Sequence, residues 1–111
     1  MTEQQAARLQ TMTGIGKPLV HKKKGGGGYT QMGMIEDEVF HIVGDYKHVI
    51  QKIRFTEGLS WDGSTHAYRT GYWTYDAGAK RIVWGQYTQF LTELEYRTLL
   101  KKARDKGWHV F

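Results

Sequence analysis

Residues 66–87, HAYRTGYWTYDAGAKRIVWGQY, decide the fold because they have the pattern of a β-hairpin with large aromatic side chains on both faces. Side chains alternate along a strand, so Tyr72 and Trp73 point in opposite directions on the first arm. A turn at residues 76–80 leads to a return arm that carries Trp84. A hairpin that is apolar on both faces must be covered on both, or else one face is a binding surface.

Two further strands are expected before this hairpin. From Glu38 the pattern becomes β, with a compact apolar strand over residues 39–43, a tight turn, and a longer strand over residues 47–55. A connection rich in turn-forming residues, 58–65, then leads into the hairpin, and Asp62 within it is expected to stabilise a turn.

The C-terminal segment predicts a helix. Thr92 suits the N-cap, and Glu95 three residues later completes a capping box. Gly107 suits the left-handed residue that ends a helix, with Trp108 packing back onto the last turn. Four apolar residues at helical spacing are expected to face the sheet, namely Tyr96, Leu99, Leu100 and Ala103. A basic stripe on the same helix is interpreted as a solvated face because acidic residues lie one turn away, and it comprises Arg97, Lys101 and Arg104.

The element order is therefore β-β-β-β-α. This order predicts an α+β fold, a four-stranded antiparallel sheet with one C-terminal helix packed on one face. Because one helix covers only one face, the other face is left for the N-terminal segment, a second copy of the chain or a ligand.

Residues 1–30 are expected to be a flexible basic N-terminal segment, and residues 31–111 a single α+β domain. Residues 1–13 have the pattern of a short helix that is marginal unless it docks. Residues 14–28 contain four consecutive glycines and are interpreted as a linker or mobile loop. Most of the net charge of +5 lies in this N-terminal segment. A basic tail attracts phosphates without reading a sequence, and here it comprises Lys22, Lys23 and Lys24.

The composition excludes several classes of protein. The 111 residues provide one core, and the absence of cysteine rules out disulfides, thiolate metal sites and cysteine nucleophiles. The chain has no apolar run of membrane-spanning length and begins without the hydrophobic core of a signal peptide, so we expect a cytoplasmic protein. His41 and His48 flank a tight turn, but no metal-binding spacing supports them. We predict no catalytic residue, no metal and no cofactor.

The hairpin carries the predicted binding face. It combines aromatic and basic side chains, namely Arg69, Tyr72, Trp73, Tyr75, Arg81, Trp84 and Tyr87. Such a face could stack the bases of a single-stranded nucleic acid. Alternatively, half of these aromatic side chains belong to the core and the rest form a homodimer interface, where tyrosine and tryptophan are also enriched. The second interpretation is favoured because homodimers are common.

A function of a different class stays open. A small enzyme or ligand-binding domain would have a pocket between sheet and helix or at a dimer interface. The polar side chains expected to converge there are Glu57, His66, Arg69 and Tyr72.

Four short segments resemble a known group of proteins. They are residues 71–76 (GYWTYD), 84–86 (WGQ), 91–93 (LTE) and 106–108 (KGW). Together they resemble small bacterial proteins of unknown activity carried on mobile gene cassettes, such as those of integrons. The resemblance covers about the last half of the chain, assigns no functional residue and implies a compact accessory protein. We therefore expect a small cytoplasmic binding or accessory protein that acts through its aromatic sheet face as a homodimer, with a protein or nucleic acid as its partner.

Overall fold

A computed structural model describes residues 1–22, 24–85 and 91–108. The elements are helices α1 (Glu3–Thr11) and α2 (Glu93–Asp105), a 3-10 turn (Lys24–Gly26), and strands β1 (Pro18–Lys22), β2 (Tyr29–Val43), β3 (Tyr46–Phe55), β4 (His66–Asp76) and β5 (Arg81–Gly85). The strands form one antiparallel sheet in the order β1-β2-β3-β4-β5. The predicted α+β class, antiparallel sheet and C-terminal helix are confirmed, but the described residues form five strands and two helices where the sequence predicted four strands and one helix.

The additional strand lies in the segment interpreted as a linker or mobile loop. β1 pairs with β2, and β2 begins at Tyr29 rather than near Glu38. The proline of β1 is tolerated because it is the first residue of an edge strand, where a missing N–H costs least. Gly25, Gly26 and Gly28 have φ values of 80°, 78° and 90°, so the glycine run forms the left-handed positions of the β1–β2 connection.

The chain divides into two compact units. Unit 1 comprises Met1–Thr13, Val39–Ile50 and Thr70–Phe111, and unit 2 comprises Gly14–Glu38 and Gln51–Arg69. Strands β2, β3 and β4 contribute residues to both. The boundary at residue 30 that the sequence suggested stays a prediction.

The core of unit 1 lies on both faces of β3. Adjacent residues Val49 and Ile50 are both buried and point to opposite sides of the strand. On the Val49 side the cluster includes Leu9 and Trp73, with Met12, Ile82 and Trp84 packed against it. On the Ile50 side the cluster comprises Val39, Leu99, Ala103 and Trp108. Of the three covers left open by the sequence, the N-terminal segment is the one that occupies the second face in the structure.

Helix α1 is held in unit 1 at both ends. A capping box between Thr2 and Gln5 satisfies its first N–H groups. At its C-terminal end, the ammonium group of Lys47 donates hydrogen bonds to the carbonyl oxygens of Gln10 at 2.7 Å and Met12 at 2.6 Å. Lys47 is only 2% exposed. A cation at a helix C-terminus also interacts favourably with the helix dipole, so Lys47 helps dock a helix too short to be stable alone.

Helix α2 has the predicted N-cap residue and the predicted glycine terminus, but the Glu95 carboxylate accepts from the Thr92 hydroxyl at 3.0 Å and does not complete the predicted capping box. The Thr92 hydroxyl accepts a hydrogen bond from the Glu95 N–H at 3.2 Å, which confirms the N-cap. At the other end, Gly107 has φ of 81°, and the Trp108 N–H donates to the Ala103 carbonyl at 3.1 Å, as in a Schellman motif. Tyr96 differs from its expected place on the buried stripe, since it is 48% exposed.

Candidate functional site

The predicted aromatic face is largely covered in the structure. Trp73 pairs with Trp84 across β4 and β5, and their ring centroids lie 4.9 Å apart. Trp73 is only 9% exposed because Leu9 of α1 packs in the same cluster. Tyr75 is half-buried and Arg81 is exposed. Tyr87 lies outside the described residues. This part of the hairpin therefore belongs to the core of unit 1. The sequence interpretation that placed half of the aromatic side chains in the core agrees with this; its other half, a homodimer interface, stays a prediction.

Tyr72 lies on the opposite face of β4 from Trp73. Its ring makes edge contacts with Tyr46 at 5.4 Å and with His48 at 6.1 Å between centroids. Burial lowers the pKa of His48, and His41 lowers it further, while Glu95 acts in the opposite direction. Among residues 1–22, 24–85 and 91–108, no three histidine or carboxylate side chains lie close enough to hold a metal ion.

Arg69 belongs to a buried polar network in unit 2. Its guanidinium donates two hydrogen bonds to Gln51 Oε1, at 3.0 Å from Nε and 2.6 Å from Nη2. Gln51 in turn donates from Nε2 to Glu38 Oε2 at 2.8 Å, and the Gly14 N–H donates to the same oxygen at 3.2 Å. Burial lowers the pKa of Arg69, and the charge of Glu38 opposes that shift. These side chains satisfy each other, so the network is structural.

Unit 2 has a cleft of about 540 Å³ between the end of β3 and the start of β4. The Phe55 N–H donates to the Thr65 carbonyl at 2.9 Å, which joins two of its lining residues. Most of its lining comes from the connecting loop, and the full lining is Arg54, Phe55, Thr56, Glu57, Gly58, Ser60, Gly63, Ser64 and Thr65. Of the four residues predicted to line a pocket between sheet and helix or at a dimer interface, Glu57 lines this cleft, which is formed by a loop and two strand ends.

The loop around the cleft has a defined conformation. The Leu59 N–H donates to the Thr56 carbonyl at 3.1 Å, and Gly58 at the third position of this turn has φ of 79°, as a type II turn requires. Further along, Asp62 accepts hydrogen bonds from the Ser64 N–H at 2.9 Å and the Ser60 hydroxyl at 3.0 Å. These bonds lower the pKa of Asp62 and confirm the predicted turn role of that residue.

Two charged side chains line the cleft, and an exposed tryptophan contacts one of its lining residues. Arg54 and Glu57 both line it, and neither makes an ion pair with any residue that the structure describes. Trp61 follows the lining residue Ser60 and is 83% exposed. Its ring contacts Phe55 edge-to-face at 5.6 Å, so one edge is anchored while most of its surface faces solvent.

His66 is linked to the cleft by a hydrogen bond with its neighbour Thr65, a lining residue. The Thr65 hydroxyl lies 2.8 Å from His66 Nδ1, and His66 Nε2 lies 3.1 Å from Glu36 Oε2. Lys52 Nζ lies 3.9 Å from the other oxygen of Glu36. When the imidazole is neutral, donation from Nε2–H to the carboxylate leaves Nδ1 as an acceptor for the Thr65 hydroxyl. The chain of bonds therefore orients the hydroxyl of a cleft-lining residue.

The four residues predicted to converge in one pocket are thus separated. Glu57 lines the cleft, His66 acts on it through Thr65, Arg69 is bonded to Gln51, and Tyr72 belongs to unit 1. Sequence analysis missed Arg54, Trp61 and Thr65. The available signal was Trp61 itself, a large aromatic side chain in a segment otherwise composed of turn-forming residues.

The two predicted basic surfaces are the stripe on α2 and the N-terminal tail. On α2, Arg97 pairs with Glu93 at 3.0 Å and Lys101 with Asp105 at 3.1 Å, so the local pairing expected of a solvated face is confirmed. In the basic tail, Lys22 ends β1 and Lys24 begins the 3-10 turn, while Lys23 lies outside the described residues.

Within the described parts of the chain, no helix has the length and apolarity needed to cross a membrane.

Comparisons with known proteins add no relative to this description. The resemblance to gene-cassette proteins stays a prediction. No protein-family model matches the chain, and neither a curated protein nor a solved structure shows significant similarity to it.

Proposed function

We propose that this protein acts by binding a small polar ligand in the cleft of unit 2. The observation that carries the proposal is the pair of charged side chains, Arg54 and Glu57, which line a concave surface without making an ion pair within the described residues. A cleft of about 540 Å³ is within the range of small-molecule sites. Loops held in shape by a rigid scaffold are also where binding residues concentrate.

Binding is also the function class expected from the sequence, but the proposed site is the cleft of unit 2 and not the aromatic face of the hairpin. Binding through the aromatic face requires Trp73 to be accessible, and α1 packs against it in unit 1. The homodimer and the nucleic-acid partner stay predictions, but burial of Trp73 removes the main reason for placing either of them on that face. The hydroxyl of Thr65, the imidazole of His66 and the carboxylate of Glu36 form a hydrogen-bonded chain that supplies polar groups at the cleft.

The test is a ligand screen read at single tryptophans. The chain has four tryptophans, so protein labelled with 5-fluorotryptophan gives one fluorine NMR signal for each, assigned by single Trp→Phe variants. A library of polar fragments is then added. We expect binding fragments to shift the Trp61 signal while the signal of Trp108, a buried residue of unit 1, stays in place.

A matched pair of variants locates the response. The double variant R54A/E57Q removes both charges of the cleft, and the control R97A/E93Q removes a pair of the same charges from the exposed surface of α2. We expect the first to abolish the Trp61 response and the second to leave it unchanged. Shifts confined to Trp73 and Trp84, or a Trp61 response that survives in R54A/E57Q, would overturn the proposal.

A further inference from the structure

The hydrogen-bonding character of the cleft restricts its ligand. The Ser60 hydroxyl donates its proton to Asp62, so its oxygen presents lone pairs to a ligand. The Thr65 hydroxyl is left in the same state in the His66 tautomer that donates from Nε2 to Glu36, because Nδ1 then accepts the hydroxyl proton. The Glu57 carboxylate, when ionised, only accepts. In that tautomer, three groups at the cleft need donors from the ligand.

The charges point in the same direction. Arg54 is the one cationic side chain among the lining residues, and Glu57 offsets it. A site for phosphates or for a nucleic-acid backbone needs an excess of positive charge and of donors, because phosphate oxygens only accept. The cleft instead suits a ligand without net charge whose groups both donate and accept hydrogen bonds. Hydroxyl groups have that property.

Trp61 adds an apolar surface beside these polar groups. It is 83% exposed and its ring is positioned by Phe55, which lines the cleft. A saccharide has one face of C–H bonds that packs on an aromatic ring, while its hydroxyl groups project from the edge of the sugar ring. An exposed aromatic ring that contacts a lining residue, together with acceptor groups in the lining, is complementary to that arrangement.

We infer that the ligand of this cleft is a neutral saccharide that stacks on Trp61 and donates hydroxyl hydrogen bonds to Glu57, Ser60 and Thr65, with Arg54 donating to its oxygens. The inference rests on the proposed function and deepens it by naming the ligand class. Hydroxyl donors to a carboxylate form charge-assisted bonds, so Glu57 contributes most of the polar affinity.

The test compares two classes of probe on the fluorine-labelled protein. One class consists of neutral saccharides: glucose, galactose, N-acetylglucosamine, maltose, cellobiose and lactose. The other consists of inorganic phosphate, adenosine monophosphate and an oligothymidylate. We expect at least one saccharide at millimolar concentration to shift the Trp61 signal saturably, and none of the anions to do so.

Variants then test the assigned contacts, with affinity read by saturation-transfer NMR on the saccharide. W61A and E57Q are each expected to weaken binding by about tenfold or more. T65V removes a hydroxyl at nearly constant volume and is expected to weaken it less, while the control T98V, on α2 of unit 1, leaves it unchanged.

The outcomes separate this inference from the proposed function. A Trp61 shift with phosphate or a nucleotide and with no saccharide overturns the ligand class and leaves the cleft as the site. A Trp61 shift with other polar fragments alone has the same meaning. Failure of every saccharide, anion and fragment to shift Trp61 overturns both.

Discussion

Replacement of Leu9 by alanine should release the helix that covers the aromatic face. Leu9 is 1% exposed and packs with Val49 and Trp73. The substitution removes three buried carbon atoms, which at about 0.8 kcal/mol each amounts to about 2.4 kcal/mol of lost transfer free energy. The cavity left behind raises the expected cost to about 3–4 kcal/mol. That is a large fraction of the 5–15 kcal/mol by which typical domains are stable.

The assay is urea unfolding at equilibrium, followed by tryptophan fluorescence, with L94A as the matched control. Leu94 lies on α2 and is 74% exposed, so the same substitution there should change the unfolding free energy by less than about 0.5 kcal/mol. The L9A variant should also make Trp73 more accessible to acrylamide quenching, because the side chain that packs against it is shortened. If L9A and L94A cost the same and quenching is unchanged, α1 does not cover the face and the reasoning is refuted.

The remaining predictions concern Lys47, Gln51, His48 and Trp61. K47M removes the donor of the Gln10 and Met12 carbonyls and should lower the free energy of unfolding in urea by about 1–3 kcal/mol. The control K102M loses an exposed hydrogen bond to the Phe40 carbonyl and should cost less than about 1 kcal/mol. Equal costs would contradict the docking role of Lys47. Q51L removes the Gln51 acceptor from Arg69 and a donor from Glu38, so it should cost about 1–3 kcal/mol in the same assay, against little for Q31L at an exposed position. A neutral Q51L would show that the network does not stabilise the fold. Folding lowers the pKa of His48 from its ordinary value of 6.5, so near and below that pH the unfolded chain binds a proton that the folded chain does not. As the pH falls from about 7.5 to about 5.5, the free energy of unfolding should therefore decrease more in the wild type than in H48Q. Equal decreases would contradict this role of His48. W61A should leave the unfolding free energy within about 0.5 kcal/mol of wild type while W73A costs about 3–5 kcal/mol, and the reverse order would exchange their roles.

The elements that the sequence predicted well are those with local signals. The hairpin follows from alternation and a turn at Asp76, whose carboxylate accepts from the Gly78 N–H at 2.9 Å. Helix α2 follows from its cap and its glycine terminus. β1 was missed because the glycine run beside it dominates the local composition. Its pairing with β2 is a tertiary contact that local composition does not encode.

The polar network was missed because the alternation of β2 slips. Ile35 and Glu38 are three residues apart, yet both approach Gly14, so one extra residue intervenes between two positions on the same side. The Asp37 carboxylate accepts the Glu38 N–H at 2.9 Å at this irregularity. A strict two-residue period places such a residue on the wrong face, which is why Glu38 did not stand out in the sequence.

The candidate site could be predicted only in outline. Glu57 was expected in a pocket because carboxylates in loops often serve binding. Trp61 was not assigned to the site, since one sequence cannot show whether an aromatic side chain in a loop packs inward or faces solvent. Conversely, Trp73 was predicted to be accessible to a partner because the sequence does not show which element packs against it. Coverage by α1 depends on Leu9 meeting Val49 and Trp73, a contact between distant parts of the chain.

Solvent exposure of the individual tryptophans distinguishes the two candidate binding surfaces, the cleft of unit 2 and the aromatic hairpin. In protein labelled with 5-fluorotryptophan, the fluorine shift difference between H2O and D2O reports the exposure of each ring. The account predicts a large solvent isotope shift for Trp61 and almost none for Trp73, in keeping with exposures of 83% and 9%. A large shift for Trp73 with a small one for Trp61 would contradict it, and would return the binding surface to the hairpin.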